Sequence, residues 1–257
     1  MRRPSPGLPV LVLLGVVLGL ASPAEARRRR GEPDPRAAAV PAGTTHALKP
    51  LEAIGLEPAR VAQVTDALHA QMAQVPGVTL APMKHLRALL KGRQGVTFGT
   101  CEGELDCFVR FGALLQTPLL VSGELSGIGK GYVIFLRLVD VKTSTEVRKV
   151  SLVFDGTPAR EAGLLREAAY RLLAPERFVG RLQVEVDLKG AAVFLDGHPL
   201  GQSPIGPQPV TAGTHALRVT HPQYHDFVRF VDVAFEQTTP GKVSLSMSPV
   251  ISEEVQA

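Results

Sequence analysis

Residues 190–205 read GAAVFLDGHPLGQSPI, and they decide how the second half of the chain folds. The apolar run AAVFL has the composition of a short strand, and Asp196-Gly197 follows it directly. An Asp-Gly pair predicts a hairpin turn, because glycine accepts a positive φ and aspartate can bond neighbouring amides. Leu200-Gly201 and Ser203-Pro204 predict a second bend, since proline fixes its own φ. The stretch therefore predicts a strand, a tight turn, a second strand and a bend.

The same stretch offers an acid, a base and a hydroxyl group in Asp196, His198 and Ser203. A hydrolase triad needs its base within hydrogen-bond reach of the nucleophile, an acid behind the base, and oxyanion donors. An acid and a base one residue apart in a tight turn seldom converge on one serine, and the Gly-x-Ser-x-Gly context is missing. We therefore expect Asp196 to be a turn residue, His198 to be an exposed ring beside the turn, and Ser203 to cap the proline. We predict no catalytic residue and no enzyme.

From Gly180 onward the chain shows short alternating apolar segments and no helical period. Turn residues separate these segments at regular spacing, which is typical of a small all-β sandwich. We expect this sandwich to span residues 180–248 and residues 249–257 to form a flexible tail. The segments are RLQVEVDL, AAVFLDG, HALRVTHP, DFVRFVDVAF and KVSLSM.

Residues 180–248 resemble the PEGA domain family, which is named for a Pro-Glu-Gly-Ala tetrad. Only the Gly-Ala half of that tetrad is present, and Gln223 stands where the family usually has glycine. The resemblance implies a β-sandwich module of envelope and surface proteins, with no agreed ligand and no catalytic residues. The residues that carry the family's turn pattern are Gly190, Ala191, Asp196, Gly197, Gly201, Pro204, Gly213 and Tyr224.

Residues 44–175 mix helical and β patterns, which predicts an α/β layer domain with a mixed sheet. The fold class of the whole chain is therefore predicted to be α+β. Expected strands lie at 47–56, 77–80, 118–125, 131–141 and 144–154, and expected helices begin at Pro58, Pro82, Leu105 and Pro158. The glycine-rich run GELSGIGKGY fails the spacing of a phosphate-binding loop and predicts a hairpin connection instead.

The same region is similar to periplasmic α/β domains like the amino-terminal domain of the Tol translocation protein. The similarity lies in LEAIGLEPARVAQVTDALHAQM and in LLVSGELSGIGKGYVIFLRLVDVKTSTEV. It implies a docking domain in an envelope complex, and no functional residues transfer.

Residues 1–26 have the pattern of a signal peptide: two arginines, an apolar run at 8–20, and a small-x-small end at Ala24-Glu25-Ala26. We expect cleavage after Ala26, export, and no stable membrane span afterwards; an uncleaved anchor is the alternative. Residues 27–43 are expected to be a disordered linker rich in Arg, Pro and Ala. Its Arg27–Arg30 run is expected to contact anionic lipid weakly. Because the remaining chain is close to neutral, nucleic-acid binding is not expected.

The two cysteines, Cys101 and Cys107, predict one local disulfide in an oxidising compartment. Half a zinc site is the alternative, although two thiolates without neighbouring ligands cannot complete a tetrahedral site. His215, His221 and His225 flank Pro222 in a strand–turn–strand region rather than a helix. We therefore expect no metal site and no cofactor.

These features favour a non-enzymatic exported protein of the bacterial envelope, located in the periplasm or at the cell surface. Its expected function is protein–protein docking as an adaptor, with envelope proteins as partners. The alternative is a module that binds cell-wall or surface polysaccharide, which the scarcity of aromatic residues (5%, with no Trp) disfavours.

Overall fold

The computed structural model describes residues 43–91 and 104–246. The first part of this chain forms one five-stranded sheet with helices on both faces. Two short strands pair in parallel with the same edge of the third strand, and the last three strands form an antiparallel meander. The strands are β1 His46–Leu48, β2 Glu52–Ile54, β3 Leu119–Ile128, β4 Gly131–Asp140 and β5 Thr145–Phe154.

Two predicted strands in this region were wrong. The strand expected at 47–56 is broken into β1 and β2, since Pro50 lies between them and cannot donate a backbone hydrogen bond. The strand expected at 77–80 is reduced to one bridge between Leu80 and His46. The hairpin expected at GELSGIGKGY is confirmed, because β3 and β4 pair antiparallel up to Ile128 and Gly131.

The helices are α1 Pro58–Met72, α2 Met83–Lys91, α3 Leu105–Leu115 and α4 Pro158–Leu173, and a 3₁₀ turn follows at Pro175–Arg177. Both α1 and α4 begin at proline, whose fixed φ suits the first turn. In α1 the apolar residues at helical spacing, Val64, Leu68 and Met72, are buried as expected.

The sheet has two faces that are covered differently. On the inner face, Tyr132 of β4 donates a hydrogen bond to Glu161 of α4, which also pairs with Arg60 of α1. On the outer face, Arg137 of β4 stacks on Phe108 of α3. Two helices therefore cover the inner face, and α3 lies on the outer face.

The second part is a β-sandwich, so the expected α+β fold with a sandwich is confirmed. One sheet has the strand order β11-β10-β7-β8, and the other has the order β12-β6-β9, in which β12 and β6 are parallel. The strands are β6 Val179–Val186, β7 Ala192–Leu195, β8 His198–Gln202, β9 Ile205–Thr211, β10 Gly213–His221, β11 Tyr224–Val233 and β12 Thr238–Val243.

Each part has its own buried apolar cluster, and aromatic residues join the two. Phe235, in the turn between β11 and β12, packs against the cluster of the first part. Its ring lies 4.9 Å from that of Tyr170 and 4.7 Å from that of Phe178. The sandwich is thus attached to α4 through apolar contact.

Several expectations fall outside the described residues: the signal peptide at 1–26, almost all of the linker at 27–43, Cys101, and the tail at 249–257. Cys107 is buried in α3, and its pairing with Cys101 stays a prediction. Within residues 43–91 and 104–246, no helix has both the length and the apolar composition needed to cross a membrane.

Candidate docking surface

The predicted turn at Asp196-Gly197 joins β7 to β8 as a two-residue hairpin. Both residues have positive φ, 49° and 80°, which matches the strand twist of a tight hairpin. The Asp196 side chain, however, does not bond its own turn. It accepts hydrogen bonds from the backbone N–H of Ala216 (2.8 Å) and from Nδ1 of His215 (2.6 Å) on β10.

His215 was missed as the partner of Asp196 because the contact depends on strand pairing between residues about twenty positions apart. Its second ring nitrogen, Nε2, lies 2.7 Å from the carbonyl oxygen of Thr211. Both ring nitrogens thus lie within hydrogen-bond distance of oxygen atoms. The hydrogen bond from His215, followed by that from the Ala216 amide, lowers the pKa of the Asp196 carboxyl.

Ser203 lies at the other end of β7, and the expectation that it caps the proline was wrong. Its hydroxyl donates to the carbonyl of Leu188 and accepts from the backbone N–H of Ala191 (3.2 Å). Ser203 is buried and fixes the turn that precedes β7. Five residues of extended chain separate Ala191 from Asp196, a span of about 17 Å. The acid and the hydroxyl are therefore not brought together.

The other predicted turn residues lie at bends of the sandwich. Gly190, Gly201 and Gly213 have φ values of +77°, +140° and +138°, conformations that L side chains rarely adopt. Pro204 follows a cis peptide bond, and Tyr224 begins β11 after a turn in which His221 accepts from the Gln223 amide. No group of three metal-binding side chains occurs in the part of the chain that the structure describes.

A cleft of about 750 Å³ lies between α4, β5 and two turns of the sandwich. Three arginines line it, and each is ion-paired with a carboxylate: Arg160 with Asp155, Arg166 with Glu236, and Arg171 with Glu167. An anionic ligand would have to break these pairs, so the cleft is not arranged to bind one.

The outer face of the first sheet carries exposed apolar side chains that the strand register places close to one line. Ile54 of β2 lies beside Ser126 of β3, which lies beside Val133 of β4, which lies beside Val153 of β5. These four residues share the outer face with Phe135 and Arg137, because side chains alternate along each strand. We call Ile54, Val133 and Val153, together with Ile128 at the end of β3, the apolar row.

The apolar row is exposed. The exposed fractions are 72% for Ile54, 68% for Val153 and 58% for Ile128. The contacts of α3 are with β3, β4 and the Lys49 and Arg137 side chains, toward the other end of the face. Ile54 and Val153 lie at the two ends of the line, with Ser126 and half-buried Val133 between them. Exposed apolar side chains grouped on one face of a sheet mark interaction sites.

Charged groups flank the apolar row. Glu124 of β3 is exposed and lies next to Glu52 of β2 in the sheet. Glu52 is neutralised by Lys49, whereas Glu124 makes no ion pair within residues 43–91 and 104–246. On the same face, exposed Lys149 of β5 lies beside Arg137. The apolar row is thus flanked by a carboxylate, that of Glu124, which has no ion-pair partner among the described residues.

Residues 179–249 match the PEGA domain family, which confirms the resemblance drawn from the turn pattern. No curated protein matches the chain. Solved structures with similarity include the LpoB C-terminal domain from Escherichia coli (14% identity, TM-score 0.36), covering 52% of this chain and 93% of that one. Lipoprotein GNA1162 from Neisseria meningitidis has 12% identity and a TM-score of 0.38, covering 50% and 94%. TolB from Acinetobacter baumannii has 10% identity and a TM-score of 0.33, covering 76% and 59%. At these scores the similarities carry no argument about function.

Proposed function

We propose that this chain is a non-enzymatic exported protein of the bacterial envelope that docks onto another envelope protein through the apolar row. The single observation that carries the proposal is the row itself: exposed Ile54, Val153 and Ile128 lie with Val133 on one face of the sheet, on a stretch that no helix within residues 43–91 and 104–246 is shown to cover. Burying such side chains contributes about 25 cal/mol of favourable free energy per Å² of apolar area, so a partner that covers them gains binding free energy.

The width of the outer face leaves room for one helix of the partner beside α3. Four strands spaced about 4.8 Å apart make a sheet roughly 19 Å wide, enough for two helices of about 10 Å diameter side by side. The inner face carries α1 and α4, whereas the contacts of α3 with the outer face lie near Arg137, away from the apolar row. An amphipathic helix from the partner would complete the missing layer.

The negative charge of Glu124 limits which side chains the partner helix can place against this face. Glu124 lies one row from the apolar row and has no ion-pair partner among the residues described. Covering it without compensation would cost free energy, because an unpaired carboxylate loses its hydration. We infer that the partner helix places a lysine or arginine against Glu124 and apolar side chains against Val133 and Val153.

The PEGA match supports an envelope location, since the family consists of modules of envelope and surface proteins. The geometry around Asp196 and Ser203 supports a structural role for both residues. The sandwich would then act as a spacer or second interaction module, held to the docking domain by Phe235 and the Arg166–Glu236 ion pair.

The test is recovery of partners from native envelopes with four tagged chains: wild type, Val153→Asp, Glu124→Lys and Val147→Asp. Val147 is an exposed valine (47%) on the same strand and lies at a bulge outside the apolar row, so it is the matched control. We expect one protein to co-purify with wild type and Val147→Asp and to be lost with Val153→Asp and Glu124→Lys. Equal recovery with all four chains would overturn the proposal.

If the chain instead binds cell-wall or surface polysaccharide, which is the alternative function, the same variants should give a different result. A glycan-binding module should be retained on purified peptidoglycan, and retention should be insensitive to Val153→Asp. An adaptor that binds protein should stay in the supernatant with every variant.

A further inference from the structure

The cleft between α4, the end of β5 and two turns of the sandwich adjoins the apolar row. Val153, which lies at one end of that row, also lines the cleft, whose volume is about 750 Å³. Cavities of roughly this size between two parts of a protein are common binding sites. A partner that covers Val153 therefore reaches the mouth of the cleft.

The walls of the cleft are held in place by contacts between the first part of the chain and the sandwich. The backbone N–H of Ala212, in the turn between β9 and β10, donates a hydrogen bond to the carbonyl of Phe178 (2.8 Å). In the turn between β11 and β12, the ring of Phe235 packs on Phe178, and Glu236 pairs with Arg166. A cleft that is already formed loses little conformational entropy when a segment enters it, which favours binding.

Each wall of the cleft contains a glycine with open space around it. Gly163 lies in α4, and Gly213 begins β10. Apart from their own helix or chain neighbours, no atom of the described residues lies within 4 Å of the position that a Cβ would take at either glycine. Glycine inside a helix costs about 1 kcal/mol relative to alanine, and no packing contact among the described residues requires it at Gly163. The missing side chains let the backbone of a bound segment approach both walls.

The charges that line the cleft are balanced. Its three arginines pair with three carboxylates that also line it: Arg160 with Asp155, Arg166 with Glu236, and Arg171 with Glu167. A charged side chain that entered the cleft would take one member of a pair and leave the other unpaired, which costs free energy. A peptide backbone can bond to these groups while they stay paired, because a carboxylate accepts several hydrogen bonds and a guanidinium carries several N–H donors.

The length of the cleft limits the length of the segment. Along α4 the lining runs from Arg160 to Arg171, a distance of about 17 Å at 1.5 Å per residue. An extended chain advances about 3.3 Å per residue, so about five residues span this distance.

We propose that the cleft binds an extended, uncharged segment of about five residues that belongs to the same envelope protein that docks on the apolar row. The inference rests on the proposed function and extends it to the sandwich, whose turns form one wall of the cleft. The partner then contacts both parts of this chain at once, and the sandwich contributes directly to docking.

The test is photo-crosslinking in intact cells from a light-activated residue at Gln237, compared with Val153 and Gln223. Gln237 is an exposed glutamine in the sandwich wall of the cleft. Gln223 is the matched control, an exposed glutamine in the turn that joins the other ends of β10 and β11. We expect positions 237 and 153 to give adducts with the same protein and position 223 to give none. Mass spectrometry of the adduct from position 237 should place the attachment in a stretch of about five residues without Lys, Arg, Asp or Glu.

A substitution that fills the cleft tests the site itself. Gly163→Leu should lower the yield of the adduct from position 237 at least about tenfold, because the leucine side chain occupies the space of the segment. This variant should fold, since leucine favours a helix more than glycine does. Ala162→Leu is the matched control, because Ala162 is an exposed residue of α4 that does not line the cleft, and it should leave the yield unchanged.

The possible results separate this inference from the proposed function. The inference is overturned, and docking through the apolar row still stands, if position 153 gives an adduct and position 237 gives none or one with a different protein. A small molecule or a polysaccharide in the cleft would give no protein adduct from position 237. An adduct from position 237 that Gly163→Leu does not reduce, or a charged attachment segment, also overturns the inference. The absence of an adduct from position 153 would overturn both.

Discussion

Arg166 of α4 and Glu236 of the turn between β11 and β12 form a two-pronged ion pair. Nε of the arginine lies 2.9 Å from one carboxylate oxygen, and Nη2 lies 2.7 Å from the other. The pair joins the helical layer of the first part to the sandwich, next to the ring of Phe235. Its geometry therefore bears on how firmly the two parts are held together.

Arg166→Ala should lower the free energy of unfolding by about 0.5–1 kcal/mol, because the pair is partly exposed and only its bidentate geometry lifts it above a simple surface pair. Urea unfolding followed by circular dichroism measures the change. Arg160→Ala is the control, since Arg160 pairs with Asp155 just before α4 and does not reach the sandwich. Equal effects of the two variants would contradict a linking role for Arg166.

Phe235→Ala should cost about 2 kcal/mol, because the ring is half-buried between Tyr170 and Phe178. Phe230→Ala removes the same number of atoms from a ring that is 76% exposed and should change stability by less than about 0.5 kcal/mol. Thermal unfolding compares the two.

Alanine substitutions at two buried serines are expected to have opposite effects on the free energy of unfolding. Ser203→Ala removes two hydrogen bonds to the backbone of Leu188 and Ala191 and should cost about 1–2 kcal/mol. Ser122→Ala should be neutral or stabilising, since the Ser122 hydroxyl is buried and has no hydrogen-bond partner among the residues described. Denaturant midpoints measure both changes, and a neutral Ser203→Ala would contradict the structural role assigned to that hydroxyl.

The Asp196 carboxyl should contribute a pH-dependent part of the stability. Its pKa is lowered in the folded state by hydrogen bonds from His215 and Ala216. A lowered pKa stabilises the fold above the ordinary value near 3.9, and this stabilisation is lost as the pH falls through the folded value. Asp196→Asn should thus be less stable than wild type at pH 6, by about 1 kcal/mol after allowance for solvent screening, and this difference should shrink as the pH falls below the ordinary carboxyl value. A difference that stays constant with pH would argue against the carboxylate as the cause.

Local patterns in the sequence predict the elements but not the contacts between them. The Asp196-Gly197 hairpin, the proline at the start of α1 and the alternation along β4 each depend on neighbouring residues, and the structure has all three. The partner of Asp196 could not be predicted in this way, because the pairing of β7 with β10 brings His215 to it.

Local sequence patterns could not predict the apolar row either. Ile54, Val133 and Val153 are about eighty and twenty residues apart in sequence, and each is an ordinary strand residue in its own segment. Only the register of four strands places them on one line. Their exposure, moreover, depends on where α3 packs, which the residues of α3 alone do not determine.

The most direct test of docking through the apolar row is photo-crosslinking in intact cells from a light-activated residue placed at Val153, in parallel with one at Val147. The account predicts a discrete adduct with one envelope protein from position 153, a much weaker adduct from position 147, and loss of the first when Glu124→Lys is introduced. Adducts of equal yield from both positions, or none from position 153, would contradict it.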